Sequence, residues 1–324
     1  MRGFKSVLAD RLEAFFAYRR QLGFARHPLL DHLKVLDRYL YEQKATADQL
    51  QPYFFLGLRA SLKLCPSAIN HVVRSARALF NFMIRNDYCS ENPLKDIPPL
   101  PEYNFISFIF SPQQTDALLS AVGRKIRRNP KYFVNDYGVY LVHVLLARCG
   151  LRISEPLALL PCHYRRDEAT LYIEKTKFRK DRLIPLSAAV RKELDDYLKL
   201  REVFGGDDQN PYLLARKKQR GLHENQVCYV FHRAVDAIDI RQKRQIIGDM
   251  TFGKPVPHSL RHSFAINTLT QIRARGQNPQ HALPVLAAYM GHRKYQYTGA
   301  YLKVNHARDR TGLIEFARSQ LDVI

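Results

Sequence analysis

Apolar residues recur at helical spacing along the first 90 residues of the chain. The spacing predicts four helices, over residues 5–22, 29–43, 47–62 and 66–87. The apolar side of the fourth helix runs from Ile69 to Ile84. Its opposite side carries four polar residues, Asn70, Arg74, Arg77 and Asn81. A surface of this composition suits either solvent or the phosphates and bases of a nucleic acid.

A proline-rich stretch, NPLKDIPPLPEY at residues 92–103, follows the fourth predicted helix. Its prolines cannot occupy a helix interior, so we expect an extended and fairly stiff linker. Ser111, Pro112 and Gln114 then form a pattern typical of a helix start, a capping box with proline at the first helical position. We therefore place the domain boundary near residues 100–107 and expect domains at 1–103 and 104–324.

The rest of the chain mixes predicted helices with short predicted strands. Apolar runs predict a buried helix over 137–149 and two strands, over 169–174 and 182–186, around a basic turn. Further helices are expected over 187–203 (with Ser187 as N-cap), 224–238, 259–273 and 281–290. The expected fold class is mostly α with a small β-sheet, and no internal repeat or low-complexity tract is present.

Charge indicates the class of partner. The 324 residues include 51 Lys and Arg against 30 Asp and Glu, a formal net charge of +21. The excess is spread along the chain, with 15 basic and 9 acidic residues in 1–100 and 36 and 21 in 101–324. This balance predicts a polyanionic partner, DNA or RNA first, although a well-solvated basic surface is the alternative. An anionic membrane suits it less, because no single basic amphipathic helix carries the excess.

Targeting and metal-binding signals are weak in this sequence. No apolar run approaches the roughly 20 residues that cross a bilayer, and Asp10 lies where a signal peptide would be apolar. We therefore expect a cytoplasmic, nucleoid-associated protein without a membrane partner. The odd count of five cysteines and the lack of CxxC spacing argue against a zinc site or disulfide framework. Most of these cysteines are expected to be reduced core thiols.

Four short segments of the second part carry residues suited to phosphate chemistry. CGLRISE, at 149–155, has a helix-breaking glycine followed by an arginine, and KTKFRKDR, at 175–182, is a basic turn. HSLRH, at 258–262, places a histidine and an arginine one turn apart near a helix N-terminus, a ready anion site. MGH, at 290–292, is followed nine residues later by a tyrosine. Taken singly, each segment also fits an ordinary structural role.

In chain order the four segments supply Arg, Lys, His, Arg, His and Tyr. A metal-dependent nuclease would need carboxylate ligands, and this set offers cations instead. Cations suit a phosphodiester whose negative charge grows in the transition state, and a tyrosine hydroxyl can attack phosphorus as a covalent nucleophile.

This ordered set resembles the tyrosine recombinase (phage-type integrase) family. The resemblance covers about residues 140–305 and rests on CGLRISE, KTKFRKDRLIPL, HSLRH, MGH and the later AYL. It extends more loosely over the four N-terminal helices and the closing NPL, which look like the family's SAM-like core-binding domain. The resemblance implies that this DNA-binding domain precedes an α+β catalytic domain with a tail helix at about 304–324.

The resemblance also implies which residues act. By position, the catalytic residues would be Arg152, Lys177, His258, Arg261, His292 and Tyr301. Counting back from the end of the hairpin selects Lys177 over Lys175 and Lys180. The nine-residue spacing after His292 selects Tyr301 over Tyr295 and Tyr297.

Other residues are expected to support these. Glu155 would orient active-site groups, and His262 would be structural. Residues expected to contact DNA are Asn70, Arg74, Arg77, Arg179, Lys180, Arg216, Lys217 and Lys218.

The implied function is site-specific DNA recombination, in which strands are cleaved and rejoined through a covalent 3′-phosphotyrosyl intermediate without metal, ATP or another cofactor. The two domains would close around double-stranded DNA as a clamp. Four copies of the chain would form a tetramer on synapsed DNA, with the tail helix exchanged between protomers; packing of the tail on its own domain is the alternative. Accessory recombination proteins stay open as partners.

One departure from the compact chromosomal resolvases concerns the interval from Arg261 to His292, which spans 31 positions. The added text around RARGQNPQH, at 273–281, looks like a subgroup carried by transposons and conjugative elements. Three alternatives stay open: type IB topoisomerase-like strand relaxation, a non-catalytic DNA-binding regulator on the same fold, and a basic RNA-binding protein. The complete set of six residues favours the recombinase, since a regulator would have no use for Tyr301.

Overall fold

The computed structural model describes residues 3–23, 26–102, 104–174, 181–205, 209–216, 220–247 and 250–292. Helices dominate this part of the chain and the strands are two to four residues long, which confirms the mostly helical fold class. Backbone contacts divide the chain into two compact units, Met1–Tyr103 and Asn104–Ile324. No helix within the described ranges is long and apolar enough to span a membrane.

The first unit is helical. Its helices are α1 (Ala9–Gln21), α2 (Arg26–Glu42), α3 (Pro52–Ser61) and α4 (Pro66–Arg85), with a 3-10 turn at Ala47–Gln49. Proline at the first position of α3 explains why the helix expected over 47–62 is divided, since proline cannot continue a helix that begins before it. Each α-helix buries one apolar side in a common core, represented by Leu12, Leu36, Phe55 and Leu79.

The proline-rich segment packs against α4 and belongs to this first unit. Leu94 and Ile97 are buried in its core. The guanidinium of Arg77 donates to the carbonyl oxygens of Leu94 (2.9 Å) and Ile97 (2.6 Å). The amide of Asn70 donates to Leu100 O (2.9 Å) and accepts from Leu100 N–H (2.8 Å). The segment is therefore an anchored extension, because its backbone groups find partners on the polar side of α4 instead of in solvent.

The second unit is built around a buried helix. Its helices are α5 (Pro112–Gly123), α6 (Pro130–Cys149), α7 (Ser154–Leu157), α8 (Ala188–Gly205), α9 (Glu224–Ala237), α10 (Pro257–Ala274) and α11 (Pro279–Met290). The C-terminal half of α6 is apolar on nearly all sides and lies in the main core. At the start of α5 the expected capping box is confirmed, since Ser111 Oγ accepts from Gln114 N–H and Gln114 Oε1 accepts from Ser111 N–H.

The strands form three small sheets. β2 (Tyr164–Arg165), β3 (Thr170–Ile173) and β4 (Arg182–Pro185) form an antiparallel sheet in that order. β5 (Ala215–Arg216) pairs with β6 (Arg220–Gly221). β1 (Asn104–Ile106) runs parallel to β8 (Met250–Phe252), which is antiparallel to β7 (Gln245–Ile247). Only β3 and β4 were expected from the sequence, because strands of two or three residues are too short to show an alternating pattern.

All five cysteines are free. Only Cys149 is buried, while Cys65 and Cys162 are exposed and Cys89 and Cys228 lie between these extremes. The expectation that most of them are core thiols is therefore wrong, and the absence of disulfides among them agrees with the sequence.

Candidate active site

Two helices of the second unit end at glycines in the left-handed conformation. Gly150 follows α6 with φ +59°, and Gly291 follows α11 with φ +63°. After α11, the N–H groups of Gly291 and His292 donate back into the last helical turn, which is a Schellman arrangement. A β-carbon at position 150 would collide with the ring of Phe264. These turns place Arg152 and His292 directly beyond two helix ends.

Arg261 ties the two helix ends together. It lies in the first turns of α10, and only 1% of it is exposed. One terminal nitrogen donates to Gly150 O and the other to Met290 O, the latter at 2.5 Å. Carbonyl groups at the C-terminus of a helix carry partial negative charge, which stabilises a buried cation. Arg261 therefore links the C-terminal ends of α6 and α11 at the site.

Arg152 is held from two directions. Its backbone N–H and its Nη1 donate to the two oxygens of Glu155, at 2.8 and 3.0 Å. Its Nη2 donates to Gly291 O at 2.9 Å. The side chain keeps 19% of its surface exposed, so this cation remains accessible while its orientation is fixed.

Glu155 also binds a residue that sequence analysis did not single out, Arg182 at the start of β4. Both terminal nitrogens of Arg182 donate to the carboxylate, at 3.1 and 2.8 Å, and Nε donates to Tyr289 O at 2.7 Å. Burial raises the pKa of Glu155, but the hydrogen bonds and charge of Arg182 outweigh it and hold that pKa below its usual value. The sequence showed Arg182 only as the last residue of the basic segment 175–182, and its burial became visible only in the structure.

Three histidines surround the arginines. His258 lies in the first turn of α10, and its ring meets the ring of His262 edge to face with centroids 4.6 Å apart. Burial of the ring and the charges of Arg261 and Arg152 lower the pKa of His258 to about 4. The residue keeps an exposed surface, so its burial is partial, and the two arginine charges add to the effect of burial.

The other two histidines are half-buried and shifted in the same direction. Burial and the charges of Arg261 and Arg152 lower the pKa of His292 to about 4. Burial, followed by the charges of His258 and Arg261, lowers the pKa of His262 to about 3. At neutral pH the rings are therefore uncharged, and an uncharged imidazole can accept a proton or a hydrogen bond.

The structure thus brings five of the expected residues into one cluster: Arg152, Glu155, His258, Arg261 and His292. Lys177 and Tyr301 lie outside the described residues, as do Arg179, Lys180, Lys217, Lys218 and the expected tail helix at 304–324. The strands on either side of the Lys177 segment are paired, and the Tyr172 hydroxyl donates to Asp181 at 2.9 Å. Within the described part of the chain, no group of three or more His, Cys, Asp or Glu side chains is placed to hold a metal ion.

The expected DNA-contact residues differ in their surroundings. Asn70 is buried, and its amide also donates to Glu102 (3.0 Å), while Arg77 is engaged with the proline-rich segment. Arg74 and Arg216 are exposed. The structure therefore gives Asn70 and Arg77 an internal role and leaves Arg74 and Arg216 accessible to a ligand.

Comparison with known proteins indicates the family of the chain. The family model described as the phage integrase family matches residues 112–308. A protein of Sinorhizobium fredii (strain NBRC 101917 / NGR234) named as an integrase/recombinase, y4rB, is 31% identical over 196 residues, which span 60% of each chain. A second protein of that strain with the same description, y4rE, is 26% identical over 306 residues, 93% of each chain.

The fold is also similar to solved structures. The integrase of transposon Tn1549, in complex with transposon right-end DNA, superposes with a TM-score of 0.65 at 19% sequence identity. The match covers 95% of this chain and 98% of that one. The match to the family model extends over more than half of the sequence and includes all six expected catalytic positions. The chain belongs to the phage integrase family and is a tyrosine recombinase.

Proposed function

We propose that this recombinase cleaves and rejoins DNA strands at specific sites through a covalent 3′-phosphotyrosyl intermediate. The observation that carries the proposal is the convergence of two arginines and two uncharged histidines where α6, α10 and α11 meet. Such a cluster offers fixed positive charge together with proton acceptors. It matches the needs of phosphoryl transfer, in which negative charge builds on the non-bridging oxygens.

The arginines would bind the scissile phosphate. Arg152 is fixed by Glu155 and Gly291 O yet keeps part of its surface exposed, so it can donate to a phosphate oxygen with little rearrangement. Arg261 is nearly inaccessible and contributes mainly the field of its buried charge. His292 would add a hydrogen bond to the same phosphate. Because the donors are already held in place, binding would cost little reorganisation.

In the proposed reaction Tyr301 Oη attacks phosphorus and the bond from phosphorus to the 5′-oxygen breaks. His258 takes the phenolic proton, since its ring is uncharged at neutral pH, where burial and the charges of Arg261 and Arg152 lower its pKa to about 4. Lys177 donates a proton to the departing 5′-oxygen. The products are a 3′-phosphotyrosyl bond and a free 5′-hydroxyl, so the energy of the phosphodiester is retained.

A 5′-hydroxyl from a partner duplex can then reverse the step, which completes strand transfer without ATP. The cationic side chains supply the charge that a metal ion supplies in other phosphoryl-transfer sites, so we propose that no metal takes part. Two duplexes contain four strands to be cut, and we therefore propose a tetramer on synapsed double-stranded DNA. Exchange of the tail helix between protomers would link those four sites.

Mobile-element recombination is the form of the activity we favour, as in integration or transposition. The relatives y4rB and y4rE are named as integrase/recombinases, and the similar solved structure is a transposon integrase in complex with transposon right-end DNA. The 31-position interval from Arg261 to His292, which includes α11, agrees with this choice.

Covalent trapping tests the proposal. Wild-type protein, Tyr301→Phe and Tyr297→Phe would be incubated with pre-nicked duplexes that tile the DNA flanking the gene, in EDTA and without nucleotide. On a denaturing gel we expect a shifted protein–DNA band with wild type and Tyr297→Phe and none with Tyr301→Phe. A native gel on the same samples should show all three proteins bound to DNA.

Each other outcome has a definite meaning. Binding without any covalent band on any duplex would favour the DNA-binding regulator. A band that needs added Mg²⁺ would contradict the metal-free reaction, and an equal band from Tyr301→Phe would contradict the choice of nucleophile. Relaxation of supercoiled DNA without transfer between two duplexes would favour the topoisomerase-like activity.

A further inference from the structure

Arg182 contacts more of the site than an ordinary ion pair requires. Its three nitrogens donate to both oxygens of Glu155 and to Tyr289 O, at distances from 2.7 to 3.1 Å. Only 8% of its side chain and 6% of that of Glu155 are exposed. A planar guanidinium can satisfy a carboxylate and a carbonyl at once, whereas an ammonium group lacks the rigid fork that this geometry needs.

These contacts connect three places in the chain that lie next to expected catalytic residues. Through Glu155, Arg182 reaches Arg152, which shares the same carboxylate. Through Tyr289 O, it reaches the last turn of α11, directly before His292. It also lies in β4, opposite Ile173 of β3, where these two strands flank the segment that contains Lys177; the paired strand ends are called the base of the Lys177 hairpin.

Close packing leaves Arg182 little freedom. A β-carbon at Gly291 would lie 3.0 Å from its Nη1 and 3.3 Å from its Cζ. Glycine at position 291 therefore meets two demands, the left-handed turn and the space taken by this guanidinium. The arrangement packs the end of α11 closely against Arg182 of β4.

We propose that Arg182 is a positioning residue that sets Arg152, the His292 turn and the base of the Lys177 hairpin in register with one another. The inference rests on the proposed strand-cleavage function. Arg182 does not touch the reacting phosphate in this scheme; it acts through Glu155 and the backbone of α11. Loss of its fork should therefore slow the chemical step and leave DNA affinity unchanged.

The main variant is Arg182→Lys, which keeps the charge and removes the fork. We expect DNA affinity within about twofold of wild type and single-turnover covalent cleavage slower by about 10- to 100-fold, the usual effect of losing a supporting contact. Arg166→Lys is the matched control, since Arg166 also pairs with a carboxylate (Asp195, 2.8 Å) but is half-exposed and outside the site. The control should cleave at the wild-type rate.

A double-variant cycle with Arg152→Lys separates positioning from general support of the fold. Because Arg182 acts in part through Arg152, the variant carrying both changes should lose less than the product of the two single losses. If Arg182 only stabilises the fold, the two losses should multiply, and that result would overturn the inference. The unfolding temperature of every variant is measured together with its cleavage rate.

A substitution at Arg182 can prevent folding, because breaking a buried ion pair leaves a charge without its partner. A second variant covers that case. Should Arg182→Lys fail to fold, Arg182→Gln is measured in the same assay, because it leaves Glu155 in place with its contacts to Arg152. A folded but slow protein would support the inference, and full cleavage rate would overturn it. Absence of a Tyr301-dependent band with wild type would instead mean that the proposed function fails, which keeps the two failures distinct.

Discussion

At the scale of single residues, the site depends on charges that the backbone itself stabilises. Arg261 is among the most deeply buried side chains of the described chain, a position that a cation rarely takes without strong partners. Its partners are the carbonyl oxygens of Gly150 and Met290, at the two helix ends that the glycine turns terminate. Arg152 donates to the carbonyl oxygen of Gly291. A few backbone conformations therefore preorganise the charges before DNA arrives, which is the arrangement that lowers a barrier for phosphoryl transfer.

A buried histidine away from the site gives a prediction about acid stability. His143 is fully buried in α6, and its Nδ1 bonds to Val139 O at 2.7 Å. Burial lowers its pKa to about 4, below the ordinary 6.5 that it regains on unfolding. The unfolded chain therefore takes up a proton first, so stability is complete above pH 6.5 and falls between pH 6.5 and 4. The difference for this one group is about 3 kcal/mol.

We expect His143→Phe to unfold at a temperature that changes less between pH 7.5 and pH 5 than the wild-type value. The phenyl ring keeps most of the volume and removes the proton site. His281→Gln, at an exposed position in α11, is the control and should keep the wild-type pH dependence. If His143→Phe shows the full acid loss, the histidines of the active site must account for it instead.

At the scale of elements, the sequence predicted what periodicity and caps encode. Amphipathic α4 and the capping box of α5 were both expected, and α10 begins two residues before its predicted start, so that His258 lies inside the first turn. The start of α6 was missed because Asn129 and Pro130 form a cap that precedes any apolar run. β1, β2, β5, β6, β7 and β8 are too short to show a pattern.

The same limits apply to the site. The order of four short segments along the chain pointed to four of the site residues, Arg152, His258, Arg261 and His292. Arg182 was missed because its role depends on burial and on partners 27 and 107 positions away along the chain. Contacts of that kind arise from tertiary packing, which local patterns do not encode.

Helix α4 offers a prediction because two of its arginines look equivalent in sequence and differ in the structure. Arg77 donates to two carbonyl groups of the proline-rich segment, whereas Arg74 is exposed. Arg77→Ala should therefore destabilise the first unit by about 1–3 kcal/mol, because buried acceptors lose charged donors. Arg74→Ala should leave stability unchanged and weaken DNA binding.

Thermal unfolding and DNA affinity, measured for both variants, test this assignment. For Arg74→Ala we expect a smaller dependence of affinity on salt, since one phosphate contact is lost. Equal loss of stability in the two variants would contradict the internal role of Arg77. Unchanged affinity for Arg74→Ala would remove this residue from the DNA-contact set.

At the scale of the whole molecule, positive charge and apolar core are distributed over both units. The core of the first unit lies within residues 8–97, and the main core of the second lies within 108–260. Residues 1–103 hold 15 basic and 10 acidic side chains, and residues 104–324 hold 36 and 20. Each unit thus has its own means of folding and its own attraction to a polyanion.

Separate production of residues 1–103 and 104–324 tests that independence. Among the described residues, each of these cores is drawn from its own unit. We therefore expect each fragment to unfold cooperatively, near the temperature of its own transition in the intact chain. Each fragment should bind DNA more weakly than the intact chain, since the covalent link makes the second contact intramolecular.

The logarithm of affinity falls linearly with the logarithm of salt concentration, by about 0.9 for each phosphate neutralised. The slope of the intact chain should therefore equal the sum of the two fragment slopes. If fragment 104–324 alone reproduced the full slope, the first unit would make no phosphate contact and its basic surface would serve another purpose.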